Sequence, residues 1–154
     1  MAQLLNGFAF KALPMRDYTV HQTITLNAPP ETVWEALTNP EQTRKYFFGC
    51  KVFSDWKAGS SIIFKGRMFW IIPITMKGKI IKATPGKLLK YTLSNGRGKS
   101  TSTVTDTLTE EDGKTILAIS DNVGKGDGAE KRYHRSVKGW HKVLGGLKRL
   151  IDGY

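Results

Sequence analysis

Residues 129–151 read AEKRYHRSVKGWHKVLGGLKRLI, and this segment indicates the fold class of the chain. Its large apolar residues recur at alternating spacings of four and three residues: Tyr133, Val137, Trp140, Leu144, Leu147 and Ile151. At about 100° per residue, these side chains fall within about 40° of one direction. Basic residues occupy the opposite side: Lys131, Arg135, Lys138, Lys142 and Arg149. We therefore predict a long amphipathic helix whose apolar stripe must be covered by another element.

The chain before this helix has the pattern of an antiparallel sheet. Apolar and polar residues alternate over residues 18–26, which predicts a strand with one apolar face. Short turns separate five further predicted strands, at 60–65, 76–83, 88–94, 101–109 and 115–123. Consecutive strands joined by short turns favour an antiparallel meander over a parallel sheet. The concave face of this sheet is the only large partner available to the terminal helix.

Two short helices are predicted between the first two of these strands. Proline is tolerated in a first helical turn, so Pro30 followed by Glu31 indicates one helix start. Asn39 followed by Pro40 indicates a second start, with Asn39 as the cap and the helix running to about Phe48. Residues 1–17 show no clean period and are assigned as an N-terminal extension, which leaves residues 18–154 as a single domain.

Several ordered segments resemble a known superfamily. They are the runs APPETVWEALTNPE at 28–41, SDWKAGS at 54–60, GKII at 78–81 and PGKLLKY at 85–91, and Gly139-Trp140 followed by Leu144 and Leu147. This set resembles the START-like (SRPBCC) superfamily, and within it bacterial proteins similar to the C-terminal domain of the activator of the ninety-kilodalton heat-shock-protein ATPase. The resemblance implies an α+β helix-grip fold, with about seven curved antiparallel strands around a long C-terminal helix and two short helices after the first strand.

The resemblance says little about activity, because a shared fold does not transfer function. The sequence also departs from the family pattern in three places. Tyr46-Phe47 stands where a tryptophan is common, residues 68–73 form an unusually apolar stretch, and the N-terminal extension is additional.

Composition narrows the class of protein further. With 154 residues, 40% of them hydrophobic, the chain can form a buried core without stabilisation by a bound metal or by disulfide bonds. Cys50 is the single cysteine, and no membrane span or leader pattern is visible, so we expect a cytoplasmic protein. The net charge of +11 favours an anionic partner, such as a nucleic acid or an anionic surface. On the terminal helix, however, the basic side lacks the interleaved aromatic residues that base stacking requires, so nucleic-acid binding is disfavoured.

No catalytic, metal or cofactor site is predicted. His134 and His141 lie about 10 Å apart on one side of the terminal helix, which is too far for both to bind one metal without a third element. Asp106 is the exception among the polar residues. It shares a strand face with Val104 and Leu108, so we expect it to face the interior, where it must meet a cation, a donor, water or a ligand. Asp121, near the end of the next strand, is a weaker candidate of the same kind.

The inward elements carry many aromatic residues, which favours an apolar pocket between sheet and helix. The predicted cavity-lining residues are Trp34, Phe47, Phe48, Trp56, Phe64, Trp70, Tyr91, Asp106, Trp140 and Leu144. Residues 68–73 are expected to form a flap over the pocket or a dimer contact. The pair Gly145-Gly146 is expected to let the terminal helix flex and admit a ligand.

These observations favour binding of a small hydrophobic molecule, without catalysis, over three alternatives. A protein-interaction module of the co-chaperone kind comes next, followed by a cyclase- or hydrolase-type enzyme that uses the same cavity. Nucleic-acid binding comes last. Another protein or a second copy of the chain is a possible further partner.

Overall fold

The computed structural model describes residues 18–68, 71–95 and 100–153. The described strands are β1 Thr19–Leu26, β2 Lys51–Ser54, β3 Ser61–Met68, β4 Ile72–Thr84, β5 Leu88–Asn95, β6 Thr101–Glu111 and β7 Lys114–Asn122. The described helices are α1 Pro30–Thr38, α2 Pro40–Tyr46 and α3 Ala129–Asp152. The expected α+β helix-grip fold is therefore confirmed, with two short helices after the first strand.

The seven strands form one sheet in the order β1-β7-β6-β5-β4-β3-β2, and all neighbours are antiparallel. Side chains alternate between its two faces, as the strand period of two requires. On β6, Val104, Asp106 and Leu108 are buried on the concave face, while the threonines between them lie on the other face. The predicted inward orientation of Asp106 is confirmed.

The terminal helix α3 packs mainly against β1 and α2. Trp140, Leu144 and Leu147 of its apolar stripe are buried, together with Val143, and the ends of the stripe are partly buried. The helix ends at Asp152 and is followed by Gly153, whose φ of 83° is in the left-handed region that glycine adopts without strain. The predicted amphipathic helix therefore covers the concave face of the sheet.

The junction between α1 and α2 follows the predicted chemistry. The side-chain oxygen of Asn39 accepts a hydrogen bond of 2.9 Å from the backbone N–H of Glu41, which caps α2. Pro30 and Pro40 occupy the first turns of their helices. The second helix ends at Tyr46, two residues before its expected end.

The strand pattern alone missed two features of the sheet. Strand β2 was not predicted from periodicity, because its four residues are too short to show a period. Strand β4 begins at Ile72 instead of Met76, since the β3–β4 pairing continues to Met68 opposite Ile72 and imposes an extended backbone on both strands. Ile72 and Pro73, expected in a flap or dimer contact, are thus part of β4. Residues 1–17, 69–70, 96–99 and 154 lie outside the described residues.

Candidate functional site

A small cavity lies between the concave face of the sheet and α3. Its volume is about 20 Å³, which is room for about one water molecule. Six of the predicted residues line it: Phe47, Phe64, Tyr91, Asp106, Trp140 and Leu144. Pockets that hold drug-sized ligands have volumes of roughly 300 Å³ or more. In this conformation the space is therefore too small for such a ligand.

Aromatic rings fill most of the space where an open pocket was expected. The ring of Phe47 stacks on that of Phe64 with 4.6 Å between centroids. The Trp140 ring meets Phe47 edge-on at 5.8 Å, and Tyr91 lies 6.1 Å from Phe64. Aromatic pairs at these distances attract each other, so the lining residues stabilise the closed arrangement.

The other four predicted residues do not line this cavity in the described structure. Trp34 on α1 and Trp56 after β2 pack, partly buried, against the rim of the core. Phe48 lies two residues after the end of α2 with φ of 51°, and it is 48% exposed. Trp70 lies outside the described residues.

Several residues that line the cavity are not among the predicted ones. They include Tyr46, Ile62, Leu89, Ile119, Val143 and Leu147. Their signal was present for the strands, because Ile62, Leu89 and Ile119 share a strand face with residues already predicted to point inward. Tyr46 was visible only as a departure from the family pattern. Its hydroxyl donates a 2.7 Å hydrogen bond to the backbone oxygen of Ala36.

Asp106 is the polar group at the centre of this lining. The residue is only 3% exposed, and its Oδ1 has no hydrogen-bond partner in the described part of the chain. Burial, and secondarily the charge of Asp121, raises the pKa of the Asp106 carboxyl to about 7. Near neutral pH this carboxyl can therefore either donate or accept a hydrogen bond.

Two tyrosines share this environment with Asp106. Burial, followed by the charge of Asp106, raises the pKa of both Tyr46 and Tyr91. Both phenols therefore remain protonated at physiological pH. The site presents protonated phenols and one titratable carboxyl inside an apolar wall.

Asp121 has different surroundings on the next strand. Its Oδ2 accepts a 2.6 Å hydrogen bond from Ser136 Oγ and a 2.9 Å bond from Trp140 Nε1. Both donors belong to α3, so this carboxylate attaches the helix to the sheet. The weaker candidate thus has a structural partner that Asp106 lacks.

The remaining titratable groups of residues 18–68, 71–95 and 100–153 do not form a cluster of potential metal ligands. His134 and His141 are exposed on α3, and His134 Nε2 lies 3.9 Å from Glu130 Oε1. Cys50 is a buried free thiol whose pKa is raised by burial. Among the described residues, no group of three or more His, Cys, Asp or Glu side chains is placed to hold a metal ion.

A curved antiparallel sheet closed by a long C-terminal helix, with an aromatic interior, defines a START-like helix-grip protein. Residues 27–152 match the family described as "Activator of Hsp90 ATPase homolog 1-like protein". The match covers more than half of the chain, and the chain belongs to this family. Within the described residues, no helix has both the length and the apolar character that crossing a membrane requires.

Solved structures with the same fold include proteins from several bacteria. Protein ChR145 from Cytophaga hutchinsonii is 30% identical with a TM-score of 0.71, and the match covers 92% of this chain and 97% of that one. Protein CV1439 from Chromobacterium violaceum is 25% identical with a TM-score of 0.73, covering 87% and 96%. CalU16 from Micromonospora echinospora, at 23% identity and a TM-score of 0.71, covers 88% and 74% and shows the fold alone. No functionally curated protein matches the chain.

Proposed function

We propose that the chain binds a small, largely apolar molecule between α3 and the concave face of the sheet, with Asp106 as its polar anchor. The observation that carries the proposal is the unpartnered Oδ1 of Asp106 within an aromatic lining. A buried polar atom without a hydrogen bond costs roughly 1–3 kcal/mol. A ligand that donates one hydrogen bond to this oxygen removes that cost. The site should therefore bind such a molecule more tightly than an apolar molecule without a donor.

Binding requires the cavity to widen from its volume of about 20 Å³. One flank of α3 is fastened to the sheet by hydrogen bonds, for example from Gln22 Nε2 to Val137 O and from Lys148 Nζ to Thr25 O. On the opposite flank of α3, Gly139 faces Phe48 and Gly146 faces Tyr46. The contacts there are van der Waals contacts. A displacement of α3 away from α2 would therefore break few polar interactions.

Gly146 marks the place where this opening would begin. A Cβ atom added at Gly146 would lie 3.0 Å from Tyr46 Cβ, so α3 and α2 approach each other closely at a position where α3 has no side chain. Paired glycines also make a helix easier to bend. We infer that the ligand passes between α2 and the Gly145-Gly146 segment of α3.

The neutral fluorophore N-phenyl-1-naphthylamine tests the proposal, because it is apolar and carries one N–H donor. We expect saturable fluorescence enhancement with the wild-type protein, and backbone NMR shifts concentrated around Tyr91 and Trp140. Replacing Asp106→Leu removes the acceptor and should weaken the affinity by about fivefold to tenfold. Leu144→Trp adds more volume than the cavity of about 20 Å³ offers, so this variant, once circular dichroism shows that it is folded, should not bind the probe.

The matched control is Ile81→Trp, which adds the same side chain at an exposed position of β4. It should leave the affinity unchanged. Probe binding that is equally strong in the wild type, Asp106→Leu and Leu144→Trp would exclude the interior site. The same holds if the wild type shows no saturable binding.

The family description favours protein interaction as a second candidate function. On this alternative the chain would bind a ninety-kilodalton heat-shock protein and raise its ATPase rate. Adding the purified chain to that ATPase tests it directly. An unchanged rate together with saturable binding of the fluorophore would favour the ligand-binding proposal.

A further inference from the structure

The positive charge of the chain is concentrated on one end of the sheet. The sequence contains no Asp or Glu between Trp56 and Thr105, although this segment includes strands β3, β4 and β5. Lysine and arginine side chains stand instead on the outer face of these strands, including Lys65, Arg67, Lys77 and Lys79. This acid-free surface is the source of much of the net charge of +11.

Two cross-strand pairs on this face bring like charges opposite each other. Lys51 pairs with Lys65 between β2 and β3, and Lys82 pairs with Lys90 between β4 and β5. Directly opposed like charges destabilise a sheet. Glu41 compensates Lys51 in the first pair. Neither Lys82 nor Lys90 forms an ion pair within the described residues, so fold stability does not explain the second pair, whereas an anionic partner would make it favourable.

Three of the cations surround an open cleft of about 730 Å³. The cleft is lined by Lys51, Lys65 and Arg67, together with Gly49 and Gly66. Lys51 Nζ lies 3.0 Å from Glu41 Oε1. Lys65 and Arg67 form no ion pair with any carboxylate in the described ranges, so their charges are available to an external anion.

Two exposed isoleucines, the apolar tip, lie beside the cleft where β4 begins. Ile71 is 80% exposed and Ile72 is 55% exposed. Ile72 pairs with Met68, the residue that follows Arg67 on β3. The tip therefore lies next to Arg67. At about 3.3 Å per residue, Lys65 lies about 10 Å from the tip.

We propose that this end of the sheet docks on an anionic membrane surface. Ile71 and Ile72 enter the boundary between headgroups and acyl chains, while Lys65 and Arg67 contact the lipid phosphates. The spacing fits, since interfacial elements bury their apolar side about 5–10 Å deep. Exposed isoleucines at the tip favour a membrane over a nucleic acid, whose backbone offers them no apolar partner. This docking is independent of the internal ligand site.

Flotation of the full chain with vesicles tests the proposal. We expect the protein to float with vesicles of equal parts phosphatidylcholine and phosphatidylglycerol at low salt, and to stay unbound with phosphatidylcholine alone. The double substitution Lys65→Glu and Arg67→Glu should weaken binding by at least about tenfold. Ile71→Ser with Ile72→Ser should weaken it by roughly tenfold without changing the charge.

A matched control reverses the same number of charges on the exposed side of α3, with Lys138→Glu and Lys142→Glu. Because α3 covers the other face of the sheet, this variant should bind almost as well as the wild type. An equal loss of vesicle binding in the control would mean that net charge alone determines binding, and this would overturn the proposal. Binding to polyuridine RNA without binding to the anionic vesicles would overturn it as well. Circular dichroism and thermal unfolding verify that each variant is folded.

Discussion

Two aspartates lie on the concave face of the sheet in neighbouring strands, yet their surroundings differ. Asp121 pairs in register with Val104, two residues from Asp106. Ser136 and Trp140 both donate hydrogen bonds to Asp121 Oδ2. Of the two Asp121 oxygens, only Oδ1 is left without a partner, whereas Asp106 accepts no hydrogen bond from any group in the described structure. The difference follows from what each carboxyl faces, polar groups of α3 in one case and aromatic rings in the other.

This difference separates a structural role from a binding role. A buried carboxylate that accepts two hydrogen bonds from a helix fixes the position of that helix. A buried carboxylate without donors destabilises the fold, and it remains available to any molecule that brings a donor. Asp121 thus holds α3 to the sheet through its Oδ2, whereas Asp106 has no such bond to any element of the described structure.

The largest test of this comparison is the pH dependence of stability. Burial raises the pKa of Asp106 from 3.8 to about 7, so between these values the folded state holds a proton that the unfolded state has lost. The free energy of unfolding should therefore fall as pH rises from about 4 to about 7, by at most about 4 kcal/mol, and then level off. Urea unfolding at a series of pH values measures this loss.

The Asp106→Asn variant isolates the contribution of this one carboxyl. Asparagine does not titrate, so the variant should lack this part of the pH slope, and its stability advantage over the wild type should grow as pH rises. Parallel pH profiles for the two proteins would contradict the assignment of an unsatisfied carboxyl at this position.

The second test applies the same substitution to the aspartate that holds α3. Asp121→Asn removes the charge that strengthens the bonds from Ser136 and Trp140, and we expect a loss of about 2 kcal/mol near neutral pH. The sign is opposite to that expected for Asp106→Asn. Ser136→Ala, which removes one of the two donors, should cost about 1 kcal/mol. If Asp121→Asn raised the midpoint of urea unfolding, the distinction between the two aspartates would be lost.

Most of the fold could be predicted because periodicity is a local signal. The stripe from Tyr133 to Ile151 specifies a helix with one apolar side, and alternation specifies the longer strands. Strand β2 has only four residues, which is too few for a period. The start of β4 depends on pairing with β3, a long-range interaction that composition does not reveal.

The candidate site could be predicted only in part. The strand period placed Asp106, Phe64 and Tyr91 on the concave face, and the helical period placed Trp140 and Leu144 opposite them. The size of the space between them depends on how the rings pack, and a sequence pattern contains no such information. Phe48 was expected inside because it is aromatic, but its left-handed backbone after α2 accompanies an exposed side chain.

The third and smallest test extends the comparison to the two adjacent glycines of α3. An alanine at Gly145 would meet only the guanidinium of Arg149 at 3.6 Å, and a flexible side chain can move. An alanine at Gly146 would place its Cβ 3.0 Å from Tyr46 Cβ, a contact against the end of α2. Gly145→Ala should therefore raise the free energy of unfolding by up to about 1 kcal/mol, through the better helix propensity of alanine.

Gly146→Ala should gain none of this stability, because the close contact with Tyr46 offsets the propensity. The two variants are matched in chemistry and differ only in which side of the helix they change. Thermal unfolding of both measures the difference, which we expect to be about 1 kcal/mol. Equal stabilisation by the two alanines would mean that α2 yields easily at this contact. The close approach at Gly146 would then not limit how far α3 and α2 can move relative to each other.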